Sequence, residues 1–413
     1  MNPSLLRSLR VSHACRAFLG AAGAATLLLA ASALRAAPIH TTYNRLFDGG
    51  PVNAHSYRIP SLIRAKIDPT TKIGTLVAFA ECRQTGNEDY ETHGKIVCRR
   101  SFDNGGSWQP EQTIAVRNLG SYANPTAVFD ASTGRIWLFF LHVVSWVTNP
   151  PYTWQHGDKL VNVCYSDDDG ANWSAPDESL NATLSPASIR QDYIGPGVGI
   201  QAAQSNAGRL IIPAYLRNFY SDDNGGTWHT AWVLPSTQTT HGWGTETAIV
   251  ECLDGGLYRN DRPANTPFAA AQSRVFTYGV LDPNGVSTFN NYASDPNLPD
   301  PQSEGSLLRY NMTAPDRIIF LNSAFGTSRQ YMMARISYNQ GVSWKYSRYL
   351  TLDHAAGLGG YSSMAKTSDF CIGALVEFNE DTSSSTSHRS IDFHKFNLEW
   401  IWSSTDTAEH PGP

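Results

Sequence analysis

An all-β chain closed into a six-bladed β-propeller of four-stranded antiparallel blades is the fold that the sequence predicts, and three observations carry the prediction. A frame Ser-x-Asp-x-Gly-x-x-Trp recurs, as SFDNGGSW at 101–108, SDDDGANW from Ser166 and SDDNGGTW from Ser221; SYNQGVSW from Ser337 is a weaker copy, with Asn339 in place of the Asp. Successive frames begin 65, 55 and 116 residues apart, and the last interval is two repeats long, so one repeat has lost its frame. Short strand-like runs alternate with Gly-rich turns throughout, and no convincing amphipathic helix exceeds two turns. Repeats of roughly 40 to 60 residues of this kind mark a propeller in which each repeat is one blade.

The chain opens with Arg7, Arg10 and Arg16, an apolar run over 17–33, and small residues around Ala36 and Ala37. That order is a secretory signal peptide over 1–37, with an uncleaved anchor as the alternative. Residues 38–405 then hold six repeats and little else, leaving 406–413 as a tail and no room for an appended lectin domain. The chain is expected to be secreted or periplasmic, with no integral membrane span once the signal is removed. A formal net charge of −5 argues against nucleic acid as a partner.

The frame itself is turn chemistry. Its carboxylate can accept backbone N–H bonds, its Gly supplies a positive φ, and its Trp can fold back over the turn, so the expected role is a structural hairpin. Strand-like runs follow at 75–82, 135–144, 209–216, 317–324 and 371–378. SIDFHKFNLEWI at 390–401 reads as a last strand completing a blade begun near the mature N-terminus, which removes two open edges. NYASDPNLPDPQ at 291–302 reads as a loop between blades. Five Cys remain after the signal, none with metal-ligand spacing; Cys82 and Cys98 flank one loop and read equally as a disulfide or as separate buried thiols. NWS, NAT and NMT at 172, 181 and 311 fit the glycosylation sequon of a eukaryotic host.

Several charged residues sit at the ends of apolar strands: Arg58 in YRIPSLI, Arg262 in LYRNDRP and Arg309 in GSLLRY. Glu246 enters a Thr-rich strand in TETAIVE, Tyr361 follows two glycines in GYSSM, and NEDYE at 87–91 forms an acidic loop after Arg83. Singly, each has an ordinary structural reading as a solvated strand-edge charge, a core or rim residue, or a charged turn.

Taken together, YRIP, GTLVAFAECR, the acidic loop, RRSFDNGGSW, GIQ, GRLIIPAY, TETAIVE, GGLYRNDR, GSLLRY, GYSSM and LEW resemble the exo-α-sialidases (neuraminidases) of the bacterial and animal type, over nearly the whole mature chain. The resemblance implies a retaining glycosidase that removes terminal sialic acids from glycans, glycoproteins or glycolipids, with no cofactor and no metal. It implies that Arg58, Arg262 and Arg309 hold the sialic acid carboxylate, for which planar guanidinium forks are suited. Glu377 would brace Arg58. Tyr361 and Glu246 would be the nucleophile and its base, and Asp89 the acid/base that protonates the leaving oxygen.

A Tyr nucleophile makes electrostatic sense. The anomeric carbon of a sialoside carries a carboxylate that would repel an attacking Asp or Glu, whereas a phenol arrives neutral. Glu88, Asp89 and Glu91 all lie in the acidic loop, so the acid assignment rests on spacing, with Glu88 one residue away. Ser303 stands where many relatives have Cys, a structural difference. Residues 145–160 match nothing assignable, and their Trp146 and Trp154 would either line the cleft or pack in the core. Alternatives on the same site are a trans-sialidase or a sialidase preferring the deaminated sugar KDN. From another class, the alternative is a non-catalytic carbohydrate-binding propeller.

Overall fold

The computed structural model describes residues 36–50, 55–84, 86, 89, 93–117, 120–144, 154–189, 192–233, 246–263, 272–350, 357–379 and 388–403. The expected signal segment and tail lie outside this set, apart from residues 36 and 37. Six sheets are arranged as blades. The first contains strands Ser56–Ile67, Gly74–Arg83, Lys95–Ser101 and Gln112–Ala115; the second contains Ser121–Asp130, Arg135–Val143 and Lys159–Ser166. The short strand Gly197–Val198 adds in parallel to the inner edge of the second blade, the one departure from antiparallel pairing among the described strands. The third blade runs from Ile200 to Trp232 and the fourth from Thr247 to Phe289. The fifth runs from Ser306 to Tyr349.

The sixth blade closes the ring. Its strands Leu358–Lys366, Ile372–Asn379 and His388–Phe396 take their outermost partner from the other end of the chain, with His40 opposite Phe396 and Phe47 opposite Ile391. The last strand stops at Phe396, five residues short of the sequence reading, because Asn397 caps a helix, Leu398–Trp402, by accepting from the Trp400 amide. Residues 291–302 are also more ordered than expected. Ala293–Pro299 pairs with Ser273–Leu281 as a fifth strand of the fourth blade, anchored by buried Leu298 and Asp295.

Apolar side chains are buried between blades. Leu46, Tyr57, Leu76, Leu375 and Phe393, for example, join the sixth blade to the first. The repeated frame works at these joints. Within it, Asp103 Oδ1 accepts from the Ser107 amide at 2.8 Å and Ser101 Oγ accepts from the Gly105 amide at 2.8 Å, which fixes the hairpin. The Trp, however, reaches across to the preceding blade: Trp108 lies edge-on to Phe393, Trp173 to Phe79, and Trp228 to Trp137 and Phe139. The frame's Gly does the same. A Cβ on Gly225, at φ +88, would lie 2.3 Å from the Trp137 ring, and one on Gly105 would lie 2.2 Å from Phe393. The frame is therefore a wedge between blades as well as a turn.

Two blades lack the frame among the described residues, one more than the spacing implied. In the fourth, a turn built on Asp282 replaces it, Oδ1 accepting from the amides of Asn284 and Val286. The sixth cannot have one, because its third and outermost strands are joined by no hairpin. Cys82 and Cys98 are separate buried thiols, since Cys98 is in register with Phe79 and so lies on the opposite sheet face from Cys82.

Candidate active site

The frames close the third strand of their blades, so they share one face of the ring. The opposite face holds a cleft of about 430 Å³ lined by Arg58, Glu81, Arg83, Asp89, Asn124, Trp154, Lys159, Tyr193, Glu246, Arg262, Arg329 and Tyr361. Innermost strands enter from this face and distort there. The first blade's ladder slips between Arg58 and Ser61, the second's between Ala123 and Thr126, and the sixth's between Leu358 and Ser362. In the first two, the slip falls on Ile59-Pro60 and Asn124-Pro125, where Pro has no N–H for the ladder and the preceding residue takes a φ of 57° or 56°. A left-handed, β-branched Ile59 is strained, and the strain sits beside Arg58.

Arg58 is buried and donates from Nε to Glu377 Oε1 at 2.7 Å; the same oxygen accepts from the Ile59 amide at 2.9 Å. The second Glu377 oxygen accepts from the Tyr361 amide at 3.0 Å. Two glycines make room for this. A Cβ on Gly360 would lie 2.4 Å from Glu377 Oε2, and one on Gly359 would lie 2.1 Å from the Arg329 carbonyl oxygen.

The Tyr361 phenol, itself buried, donates a short hydrogen bond to Glu246 Oε1 and receives one from Arg262 Nη1 at 2.8 Å. Arg262 Nη1 also lies 2.9 Å from Glu246 Oε1, and the two residues are fixed side by side because the Arg262 amide donates to the Glu246 carbonyl at 2.8 Å. Glu246 Oε2 and Arg262 Nε are buried with no partner among the described residues, an uncommon arrangement away from functional sites. Burial and the Glu246 carboxylate push the Tyr361 phenol well above its ordinary pKa despite Arg262 and Arg329, so it is neutral at rest. The guanidinium carbons of Arg329 and Arg58 lie 5.2 and 5.6 Å from the centre of its ring.

Arg309 is not in this cleft. It lies near the far end of the fifth blade's innermost strand, on the face of the frames, where it pairs with Asp316 and donates from Nε to the Glu251 carbonyl at 2.8 Å. The apolar setting of GSLLRY concealed the chain direction, since an innermost strand reaches the cleft with its first residues and not its last. Beside Arg58 and Arg262 the cleft instead holds the guanidinium groups of Arg83 and of Arg329, the latter on the hairpin between the strands Arg317–Ser323 and Met332–Ser337. Arg83 and Arg262 likewise end or follow a second strand, and that shared position was the available signal.

Asp89 stands at the cleft mouth with its side chain 76% exposed, 2.9 Å from Arg83 Nη2, while Arg83 Nε is held by Glu81 at 2.7 Å. Partial desolvation by the surrounding cleft walls would raise its carboxyl, but Arg83, Arg58 and Arg329 outweigh that and hold it at about 2. Glu88 and Glu91 lie outside the described residues, as does Trp146. Trp154 lines the cleft, 4.2 Å from Lys159 Nζ, which also lies 3.9 Å from the centre of the Tyr193 ring. Burial lowers the Lys159 ammonium to about 8. Neither Lys159 nor Tyr193 stands out in the sequence.

In one cleft this propeller gathers opposed acidic and basic groups around a buried Tyr, the groups that acid/base and nucleophilic chemistry require. Residues 74–375 match the BNR repeat-like domain family. The chain is 37% identical over 379 residues to an exo-alpha-sialidase of Aspergillus fumigatus, covering 85% of this chain and 86% of that one. It is 35% identical over 374 residues to an exo-alpha-sialidase of Arthroderma benhamiae, covering 85% of each. Among solved structures, the intramolecular trans-sialidase from Ruminococcus gnavus superposes with a TM-score of 0.68 over 86% of this chain and 97% of its own; at 18% identity this likeness shows the fold. The chain belongs to the BNR-repeat sialidase family and is a sialidase. No helix among the described residues is long and apolar enough to cross a membrane.

Proposed function

We propose that this sialidase is a secreted, retaining exo-α-sialidase that hydrolyses terminal sialic acids from glycoconjugates through a tyrosyl-enzyme intermediate. The observation that carries the reading is the Tyr361 phenol, buried and neutral, hydrogen-bonded to both Glu246 and Arg262 beside two further guanidinium groups. Arg58, Arg262 and Arg329 take the substrate carboxylate, which places the anomeric carbon over Tyr361 Oη. Tyr361 Oη attacks that carbon as its proton passes to Glu246, and Asp89 protonates the departing glycosidic oxygen. Asp89, now a carboxylate, then takes a proton from water as the water displaces Tyr361 and Glu246 returns the phenolic proton. Two displacements give net retention.

A 3-fluorinated sialosyl fluoride tests this. Its fluoride leaving group favours the first displacement while the ring fluorine slows both, so the adduct accumulates. The expected result is one added sialosyl mass on the peptide containing Tyr361, absent in Tyr361→Phe and slow to form in Glu246→Gln. An adduct on another residue, or an inverted first-formed product, overturns the mechanism.

A further inference from the structure

Tyr361 stands on an innermost strand whose ladder is interrupted at Leu358 to Ser362, and three successive amides there are satisfied by side chains. Gly360 N donates to Ser323 Oγ at 2.9 Å, Tyr361 N to Glu377 Oε2 at 3.0 Å, and Ser362 N to Glu304 Oε2 at 2.8 Å. Ser323 and Glu304 both belong to the fifth blade, with Glu304 two residues before its innermost strand Ser306–Asn311. The Ser362 hydroxyl adds a contact to Ser306 Oγ at 2.9 Å. The segment that aims the phenol is thus clamped from the neighbouring blade, and an unmade bond to a buried amide is costly.

The geometry points to Glu304 as a positioning residue of this site: from behind the cleft it caps the Ser362 amide and so sets the backbone that directs the Tyr361 phenol at Glu246. Glu304 is 2% exposed and does not line the cleft, so it touches no substrate. Burial raises its carboxyl well above the ordinary range; the Ser362 amide and Arg274 act in the opposite sense, and the Glu246 and Glu377 carboxylates raise it further. A neutral acid is the form that can stand near those two carboxylates without repelling them. Its remaining acceptor function is one that an amide side chain reproduces.

This inference rests on Tyr361 being the nucleophile, and two readouts separate the two ideas. In steady-state kinetics on a fluorogenic aryl sialoside, Glu304→Gln should stay within about threefold of wild type. Glu304→Ala should lower kcat by about 10- to 100-fold with KM within about twofold, because an ångström-scale shift of the attacking atom slows chemistry while the arginines still bind the carboxylate. Glu304→Asp, one methylene too short to reach Ser362 N, should fall between them if the Ala variant does not fold. Amide hydrogen exchange on the peptide spanning Tyr361 and Ser362 should speed up in the Ala or Asp variant and not in the Gln variant. Unchanged exchange, a Gln variant as slow as Ala, or equal losses in kcat and KM overturns the positioning role. A sialosyl adduct of the 3-fluorinated fluoride on a residue other than Tyr361, with exchange altered as expected, overturns the nucleophile reading instead.

Discussion

Arg58 and Glu377, 319 residues apart in the chain, meet through Nε and Oε1 at 2.7 Å, and the pair adds an ionic tie between the first blade and the sixth. Burial alone would raise the Glu377 carboxyl, but the Arg58 guanidinium outweighs it and holds the group at about 2, against an ordinary 4.5. A pKa depressed by folding contributes stability that is complete above the unfolded value and disappears as pH falls through the folded one. Wild type should therefore lose stability between about pH 4.5 and 2. Glu377→Gln should be less stable than wild type by about 3 kcal/mol at pH 7, because it leaves a buried guanidinium unpaired, and its stability should vary less across that acidic window. Urea midpoints at pH 7, 5 and 3 measure both; parallel curves for the two proteins would show that this pair is not a source of acid sensitivity.

Arg329 and Arg309 should respond oppositely to truncation. Arg329→Ala removes a cation from the cleft, and deleting one partner of a buried, charge-assisted pair costs about 2 to 5 kcal/mol, or at least about 30-fold in kcat/KM. Arg309→Ala should leave kcat/KM within about threefold while lowering Tm, because it strands Asp316, whose side chain is only 8% exposed. Normal kinetics in Arg329→Ala would remove that residue from the carboxylate site.

The two arginines also show where sequence reading stopped. The five runs legible as strands, from Gly74–Arg83 to Ile372–Asn379, are the second strands of five blades, which are flanked on both edges and covered on both faces and so read as continuous apolar segments. The fourth blade's second strand, Leu257–Asp261, carries buried Arg259 paired with Asp261 and gives no such signal. Glu246, Arg262 and Tyr361, which their motifs single out, all line the cleft. Arg329 lies in a polar hairpin, GTSRQY, whose direction toward the cleft depends on ring closure. Lys159 and Glu304 reach their places in and behind the cleft through burial among distant side chains, which no local pattern encodes.

The repeated frame should be dispensable for chemistry and essential for assembly. Trp228→Ala removes an aromatic wedge between the second and third blades and should cost about 3 to 5 kcal/mol. Gly225→Ala should be comparably severe, because its Cβ would enter the Trp137 ring at a φ that disfavours any side chain. Thermal melts should show both losses, with kcat/KM near wild type at a temperature where each variant is folded. A selective loss of activity in folded protein would mean that the frame face communicates with the cleft.

Asp89 has the wrong resting charge for a proton donor, and the substrate itself supplies the correction. Its carboxyl lies at about 2 although partial desolvation in the cleft opposes that value, because Arg83, Arg58 and Arg329 outweigh it. A ligand carboxylate seated on Arg58, Arg262 and Arg329 neutralises part of that positive field, so the Asp89 pKa should rise on binding. A group whose pKa is higher in the complex than in the free protein takes up protons between the two values, and the ligand then binds more tightly as pH falls through that interval. Calorimetric titration with free sialic acid near pH 4, in two buffers of different ionisation enthalpy, should report net proton uptake. Asp89→Asn should bind the ligand with that uptake removed, and should cleave natural sialosides far more slowly while largely sparing aryl sialosides, whose leaving groups need little protonation. Equal proton uptake in wild type and Asp89→Asn would assign the titration to another group, and equal slowing on both substrate types would remove Asp89 as the acid.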